Sequence, residues 1–415
     1  MPLVTLLSLV SPERQAYIRC NMSRSAERAL RSSLGYKKFQ NDAVSVLVID
    51  SDYHVQRDAI ATLPKLGCQV HTLNIKVSDS VTLTLNSLID ALSLYKPDFV
   101  FSVNYLGFDD TYRVGDFLNL VGFPTVVYCV DSPLFILPKP QIPAAKVSTT
   151  FVWEKTLIPL LQVMGAKDVH YLPLGSDPDK FKLRPENKID KRFSFVGDSM
   201  SVAQDRMRAR LSSEGVSRSY ELAEILKSGQ RLDTLLETLT PREVGLQDKR
   251  QDIWRLAVWT ATAGKRFSLL KTIKHDDLSV YGDSGWHRVM PTVNLMGRIP
   301  YGEHVSDVYA SSYISINSTN CQMPTAVNQR VFDVPLSGGF VLTDDQEEMH
   351  ELFNVGIEAI TYSSVEDFHV KAKYYFDNPS ERDKVIQAGR ERVLRDHTYA
   401  SRFKVMLDVL KKRWR

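Results

Sequence analysis

Apolar residues in this chain come in two rhythms. Short, nearly unbroken runs such as Val46-Leu47-Val48-Ile49 alternate with longer stretches in which they recur every three or four positions. The first rhythm marks strands buried on both faces, and the second marks amphipathic helices packed against them. Residues 44–50 predict a first strand closing on Asp50, and the turn from Ser51 to His54 opens a helix that Gly67 stops. Strands at 69–74, 96–104 and 124–130 follow, with a helix at 81–94. A strand at 149–153, a helix at 154–164 and a segment closing at Asp177 complete this half. Such alternation predicts a doubly wound parallel sheet.

The pattern then restarts. After a charged linker near 186–191, residues 193–196 predict a strand running into the turn Gly197-Asp198-Ser199. A glycine turn at this place in an α/β unit suits backbone facing a phosphate or sugar. Residues 202–273 read almost wholly as helix, a helical insertion, and strands at 278–281, 293–296 and 313–317 follow. The stretch from Thr325 to Asp345 organises the half. Asn328 is a good N-cap, Val331, Phe332 and Leu336 follow at helical spacing, and Gly338-Gly339 ends the helix before a strand at 340–343. Strand, polar loop, helix, strand is a right-handed crossover. The helix N-terminus, with Asn328, Gln329 and Arg330, faces the strand ends where such sheets bind ligands. Arg330 and Asp333 share a helical face, a cation for phosphate beside a carboxylate for hydroxyls. An ordinary surface ion pair has the same spacing.

Two strand ends in the first half also carry chemistry. Asn104 closes one, with Asp109 and Asp110 in the following loop, and Asp131 closes the next. Carboxyl ends of parallel strands are ligand positions, although Asp131 before Pro133 also suits a plain turn cap.

The string Asn328-x-Arg330-x-Phe332-Asp333, then Gly338-Gly339 and a short strand, resembles the donor-binding region of CgeB-like (spore maturation protein) glycosyltransferases. These are relatives of the large retaining glycosyltransferase family 4 group, with the GT-B fold. Lys96-Pro97-Asp98-Phe99-Val100, Val130-Asp131-Ser132-Pro133, Tyr171-Leu172-Pro173, Tyr281-Gly282-Asp283, Gly297-Arg298 and Pro300-Tyr301-Gly302-Glu303 resemble the family in the family's order. The resemblance implies two Rossmann-like domains facing a cleft, and a sugar moved from a nucleotide-diphosphate donor to an acceptor hydroxyl with retention. The acceptor it suggests is a protein or surface glycan. It implies donor contacts from Gly197, Asp198, Ser199, Tyr281, Gly282, Arg298, Tyr301, Asn328, Gln329, Arg330 and Asp333. Arg298 and Arg330 would neutralise the diphosphate. Asn104, Asp109 and Asp131 would meet the acceptor, with Asp131 as the base. Asp333 stands where the wider group has Glu, and Thr325 where its first acid falls. A catalytically degenerate GT-B protein that binds nucleotide sugar or glycan is the alternative.

The domain organisation expected is a helical arm (1–40), an acceptor-side domain (41–185), and a donor-side domain (190–395) with its insertion at about 202–273. A terminal helix (396–415) would cross back to the first domain. The arm's basic stretch reads as a helix packed on that domain, or alternatively as a binder of anionic surfaces. With 43% apolar and 24% charged residues the chain is globular, and a net charge of +3 argues for neither nucleic acid nor membrane. The apolar start is too short to span a bilayer, so a soluble cytoplasmic chain is expected. Cys20, Cys68, Cys129 and Cys321 form no Cys-x-x-Cys pair and read as buried thiols. No Asp-x-Asp metal site is evident, and the expectation is a transferase needing no metal or other cofactor besides its donor. No Gly-x-Gly-x-x-Gly follows the first strand, which argues against a dinucleotide oxidoreductase. The paired acids and His of a sugar-nucleotide epimerase are also missing.

Overall fold

The computed structural model describes residues 24–76, 78–137, 141–183, 188–227 and 250–414. The chain divides into two compact units. The first takes the described residues up to Trp153, then Leu157–Leu172 and the chain from Arg402 onward. Its sheet comprises β1 (Ser45–Asp50), β2 (Gln69–Asn74), β3 (Phe99–Val103), β4 (Thr125–Cys129), β5 (Ser148–Val152) and β6 (Val169–Tyr171). All six strands are parallel, in the order β2-β1-β3-β4-β5-β6. β3, β4 and β5 are buried at every position; β3 and β4 accordingly run largely apolar without alternation, whereas β5 buries Ser148, Thr149 and Thr150 as well.

The helix expected to run from His54 to Leu66 spans His54–Thr62 and tightens into a 3-10 turn, Leu63–Leu66, that Gly67 ends at φ 82°. Pro64, which has no N–H to donate, sits in that tightened turn. Arg24–Leu34 is helical and buries Leu30 and Leu34 in the core of this unit, and residues 1–23 of the arm lie outside the described residues. A helix at Arg113–Val121, which the apolar pattern did not mark out, joins β3 to β4. Its Gly115 allows close packing, because a Cβ there would lie 2.7 Å from the Ala144 nitrogen.

The second unit takes Glu154–Thr156 and Pro173–Ser401. Its strands are β7 (Lys191–Val196), β8 (Leu278–Tyr281), β9 (Asn294–Leu295), β10 (Ser312–Asn317), β11 (Val341–Asp344) and β12 (Ile360–Tyr362), ordered β12-β11-β10-β7-β8-β9 and again all parallel. Phe193, Phe195, Val280, Ile314 and Leu342 from the sheet pack with Phe368 and Tyr375 from the helix Val365–Asp377. The stretch read as an insertion holds the helices Ser201–Arg208, Ser213–Lys227 and Arg250–Leu270, and residues 228–249 lie outside the described residues. The last of these helices is more than an appendage. Leu269 and Leu270 belong to the sheet core, so the crossover from β7 to β8 runs through it. The final helix, Tyr399–Trp414, joins the first unit from Arg402 onward, where Phe403 packs edge-on against Phe101.

Candidate functional site

Both sheets end, at their carboxyl edges, in loops rich in the residues that the sequence singles out. In the second unit the hub is Asn317, fully buried at the end of β10. Its amide donates to Thr343 Oγ1 at 2.9 Å, and its carbonyl accepts from Asn328 Nδ2 at 2.9 Å and from Arg330 Nη1 at 3.2 Å. One carboxamide thus ties the loop and aims an arginine. Asn328 in turn accepts the Arg330 N–H at 3.2 Å. The helix begins at Arg330 with Gln329 at the N-cap position, so Asn328, expected as the N-cap, stands one residue earlier and spends its side chain on Asn317 and the Arg330 N–H.

The Arg330 guanidinium lies against the end of β7. A Cβ on Gly197 would sit 3.2 Å from Arg330 Nη2, so glycine is what lets the cation approach this closely. On the other side stands a residue that the sequence did not mark, Arg266 of the helix Arg250–Leu270. It is only 2% exposed, donates from Nη1 to the Asp198 carbonyl at 2.6 Å, and sits 5.6 Å from the Phe195 ring centroid. Its Nε has no hydrogen-bond partner among the described residues. Burial first, and the Arg330 charge second, push its pKa down to about 9, so it is charged at neutral pH. The acids whose charge favours Arg266, Asp198 and Asp344, are committed elsewhere. Asp198 is gripped by Arg298 through Nη2 at 2.7 Å and Nε at 3.2 Å, an exposed bidentate pair. Asp344 accepts from Lys265 Nζ at 2.6 Å. Burial opposes its charge, but Lys265 prevails and the carboxyl stays below its ordinary range. Among the described residues neither Arg266 nor Arg330 is in an ion pair. Two guanidiniums side by side in a partly dry site favour an anion between them.

The other expected donor residues divide into two groups. Gly197, Asp198, Arg298, Asn328 and Arg330 gather around the ends of β7 and β10. Ser199, Tyr281, Gly282, Gln329, Tyr301 and Asp333 are engaged in holding the frame. Ser199 donates its N–H to Asp283 and shares its hydroxyl with Ser201. Tyr281 is buried, which raises its phenol pKa. A Cβ on Gly282 would lie 2.4 Å from the Gly197 carbonyl, so that turn needs glycine for packing. Gln329 donates to the Tyr399 hydroxyl at 2.6 Å. Asp333 is fully buried and accepts from Ser176 Oγ at 2.5 Å and from the Tyr301 hydroxyl at 2.9 Å. Arg330 and Asp333 are therefore engaged separately. Thr325 binds a buried carboxylate from elsewhere in the unit. Its N–H and that of Ala326 donate to Glu154 Oε2 at 3.0 and 2.9 Å, and its hydroxyl donates to Oε1 at 2.6 Å.

In the first unit, two strand ends chosen separately from the sequence meet. Asn104 Nδ2 donates to Asp131 Oδ2 at 2.8 Å, and Asn104 Oδ1 accepts the N–H groups of Val130 and Asp131 at 2.8 and 3.1 Å. The Tyr53 hydroxyl donates to the same Asp131 oxygen at 3.0 Å. Asn104 and Tyr105 both take left-handed backbone, φ 53° and 57°, a strained pair at a strand end. Asp109 caps the entry to the following helix, accepting the Val114 N–H at 2.9 Å on one oxygen and both the N–H and hydroxyl of Thr111 on the other. Beside them lies a hollow of about 400 Å³ lined by Asn104, Tyr105, Phe108, Asp110, Lys76 and Asp79 among others.

Comparison with known proteins bears first on the second unit. Residues 265–408 match the model of a glycosyl transferase-like family, a stretch that includes Arg266, Arg298, Arg330 and Asp333. No curated protein matches the sequence significantly. Among solved structures, a glycosyltransferase from Rickettsia africae is similar at a TM-score of 0.53 and 13% identity, covering 90% of this chain and 99% of its own. Anabaena HepE in complex with UDP-glucose is similar at 0.52 and 9% identity, covering 89% and 99%. Sucrose-phosphate synthase from Thermosynechococcus elongatus is similar at 0.50 and 10% identity, covering 89% and 98%. At these identities the likeness is one of fold. Two six-stranded parallel sheets with flanking helices are the GT-B architecture.

Proposed function

We propose that the protein is a nucleotide-sugar-dependent glycosyltransferase whose donor diphosphate binds between Arg266 and Arg330. The observation that carries this is the pair of buried or half-buried guanidiniums at the ends of β7 and β10, neither in an ion pair among the described residues, inside the stretch that matches a glycosyl transferase-like model. In the transfer, the bond from the sugar's anomeric carbon to the diphosphate oxygen breaks and a bond to the acceptor oxygen forms. The leaving diphosphate takes the bonding electrons, and Arg266 and Arg330 stabilise that charge without reorganising. The acceptor's proton goes to Asp131, which Asn104 and Tyr53 hold in place. Asp333 serves by holding Tyr301 rather than by meeting the donor directly.

The proposal extends to a metal-independent transfer with retention onto a protein or glycan hydroxyl. The cation pair supports the first part, since two arginines can supply the charge a metal would. HepE was captured with UDP-glucose, so a uridine nucleotide is the first donor to test. One observation favours a second reading, a protein that binds nucleotide sugar without transferring it. Thr325 stands where the wider group has an acid, and it is already bound to Glu154.

The test is calorimetric titration of the full chain, in excess chelator, with UDP, GDP, dTDP and their sugar conjugates. Micromolar binding of one nucleotide, together with slow hydrolysis of its sugar conjugate in which water takes the sugar and the nucleoside diphosphate is released, is the expected result. Binding without release would leave the second reading standing, and no binding to any nucleotide would remove both.

A further inference from the structure

We propose that the amino edge of the first unit's sheet, opposite the edge that carries Asn104 and Asp131, docks on an anionic lipid bilayer. This goes beyond the proposed transfer and does not depend on it. All six strands are parallel, so every one begins on this edge. Lysines stand just ahead of four of them: Lys65 before β2, Lys96 before β3, Lys146 before β5 and Lys167 before β6, and all four are exposed. The terminal helix delivers Lys411 and Lys412 to the same place. The Lys411 charge acts on Cys68 at the start of β2, and Arg413 donates to the Ser148 carbonyl at the start of β5. Lys37 lines a hollow here with Gly122, Pro124 and Trp414.

Carboxylates on this edge offset part of that charge, and the lysines outnumber them. Asp98 is buried and accepts the N–H groups of Phe39 and Ser45, and Asp168 is held by Arg413 and His170. Asp42 is exposed at the start of β1, and Asp408 is exposed on the terminal helix. Lys38 adds least, because its ammonium donates to the Leu34 and Tyr36 carbonyls and burial lowers its pKa to about 8. The chain's net charge of +3 conceals this concentration.

Charge alone would fit any polyanion, and the apolar residues decide between them. Leu94 is 73% exposed and Tyr95 40% exposed, side by side before Lys96 at the end of one helix. Val163 is 87% exposed at the end of another, just ahead of Lys167. Apolar tips thus flank a row of lysines along a sheet edge, a broad front rather than a groove. A bilayer offers the matching partner: anionic headgroups for the lysines, with acyl chains beneath to receive leucine and valine. RNA would meet the lysines and leave the aliphatic tips in water.

The experiment is co-sedimentation of the full chain with vesicles of phosphatidylcholine, alone or mixed with phosphatidylglycerol. Binding is expected to the mixed vesicles only and to weaken as salt rises. The variant Lys96→Ala/Lys167→Ala/Lys412→Ala is expected to bind about a hundredfold more weakly. Leu94→Ser/Val163→Ser is expected to lose about tenfold. All these side chains are exposed, so circular dichroism should report unchanged folding in both variants. Failure to sediment with phosphatidylglycerol vesicles, or wild-type sedimentation of the lysine variant, would overturn the proposal. Tighter binding to an RNA oligonucleotide, unaffected by Leu94→Ser/Val163→Ser, would overturn it in favour of nucleic acid.

Discussion

The carboxyl edges of the two sheets have the same build and opposite chemistry. Each sheet has six parallel strands, and each edge uses an asparagine to tie neighbouring loops, Asn104 in the first unit and Asn317 in the second. In the first unit the asparagine positions a carboxylate, Asp131, beside a loop carrying Asp109 and Asp110. In the second it positions a cation, Arg330, beside Arg266. The fold supplies strand ends and loops in both cases, and the side chains placed there set what each can bind. An acidic edge suits a hydroxyl that must give up a proton, and a cationic edge suits a diphosphate that must leave.

The contrast can be broken from either side. The largest effect is expected on the acidic edge, where Asp131→Asn should slow transfer by roughly 10²–10⁴-fold while donor affinity stays the same. Wild-type turnover in that variant would deny Asp131 its role. On the cationic edge, Arg266→Met should weaken nucleotide binding by about a hundredfold, the worth of hydrogen bonds to a charged group. Its melting temperature should hold or rise, because a buried charge in no ion pair among the described residues is removed. The reverse pattern, a large drop in melting temperature with affinity intact, would make Arg266 a purely structural residue. The same residue sets a pH dependence. A base whose pKa is lowered to about 9 loses its proton as pH passes that value, so donor affinity should be flat near neutrality and fall above about pH 9.

Two further variants sharpen the comparison by separating frame from site. Asp333→Ala strips both Ser176 and Tyr301 of their acceptor and should cost about 3 kcal/mol in urea denaturation. A variant of undiminished stability that no longer binds nucleotide would return Asp333 to direct donor contact. Arg298→Ala should change least, by under about 1 kcal/mol in stability and about threefold in affinity, since its pair with Asp198 is exposed.

How much of this was legible in the sequence depended on range. The buried strands were plain, because residues such as Val46 to Ile49 and Val126 to Cys129 can only be so apolar between two layers of helix. The meeting of Asn104 with Asp131 followed from strand ends sharing one edge, although their direct hydrogen bond could not be read from spacing. Arg266 escaped notice for a physical reason. It lies in the stretch that reads as a helical insertion, and only the crossover from β7 to β8 brings it to the end of β7. A charged residue among Ala261, Leu269 and Leu270, all buried, was the available signal. Asp333 shows the limit of local spacing. Helical spacing put it on one face with Arg330, but Ser176 and Tyr301, distant in sequence, claim its carboxylate.

The central claim, that a guanidinium pair at the ends of β7 and β10 receives the donor's diphosphate, is tested most directly by comparing nucleoside diphosphate with monophosphate. For the base that binds, wild-type protein should favour the diphosphate by at least about tenfold, the worth of one charge-assisted contact. That preference should shrink toward unity in Arg330→Ala, whose fold is expected to be intact. A variant that binds both nucleotides more weakly yet keeps the wild-type ratio would contradict the claim and place the phosphates elsewhere.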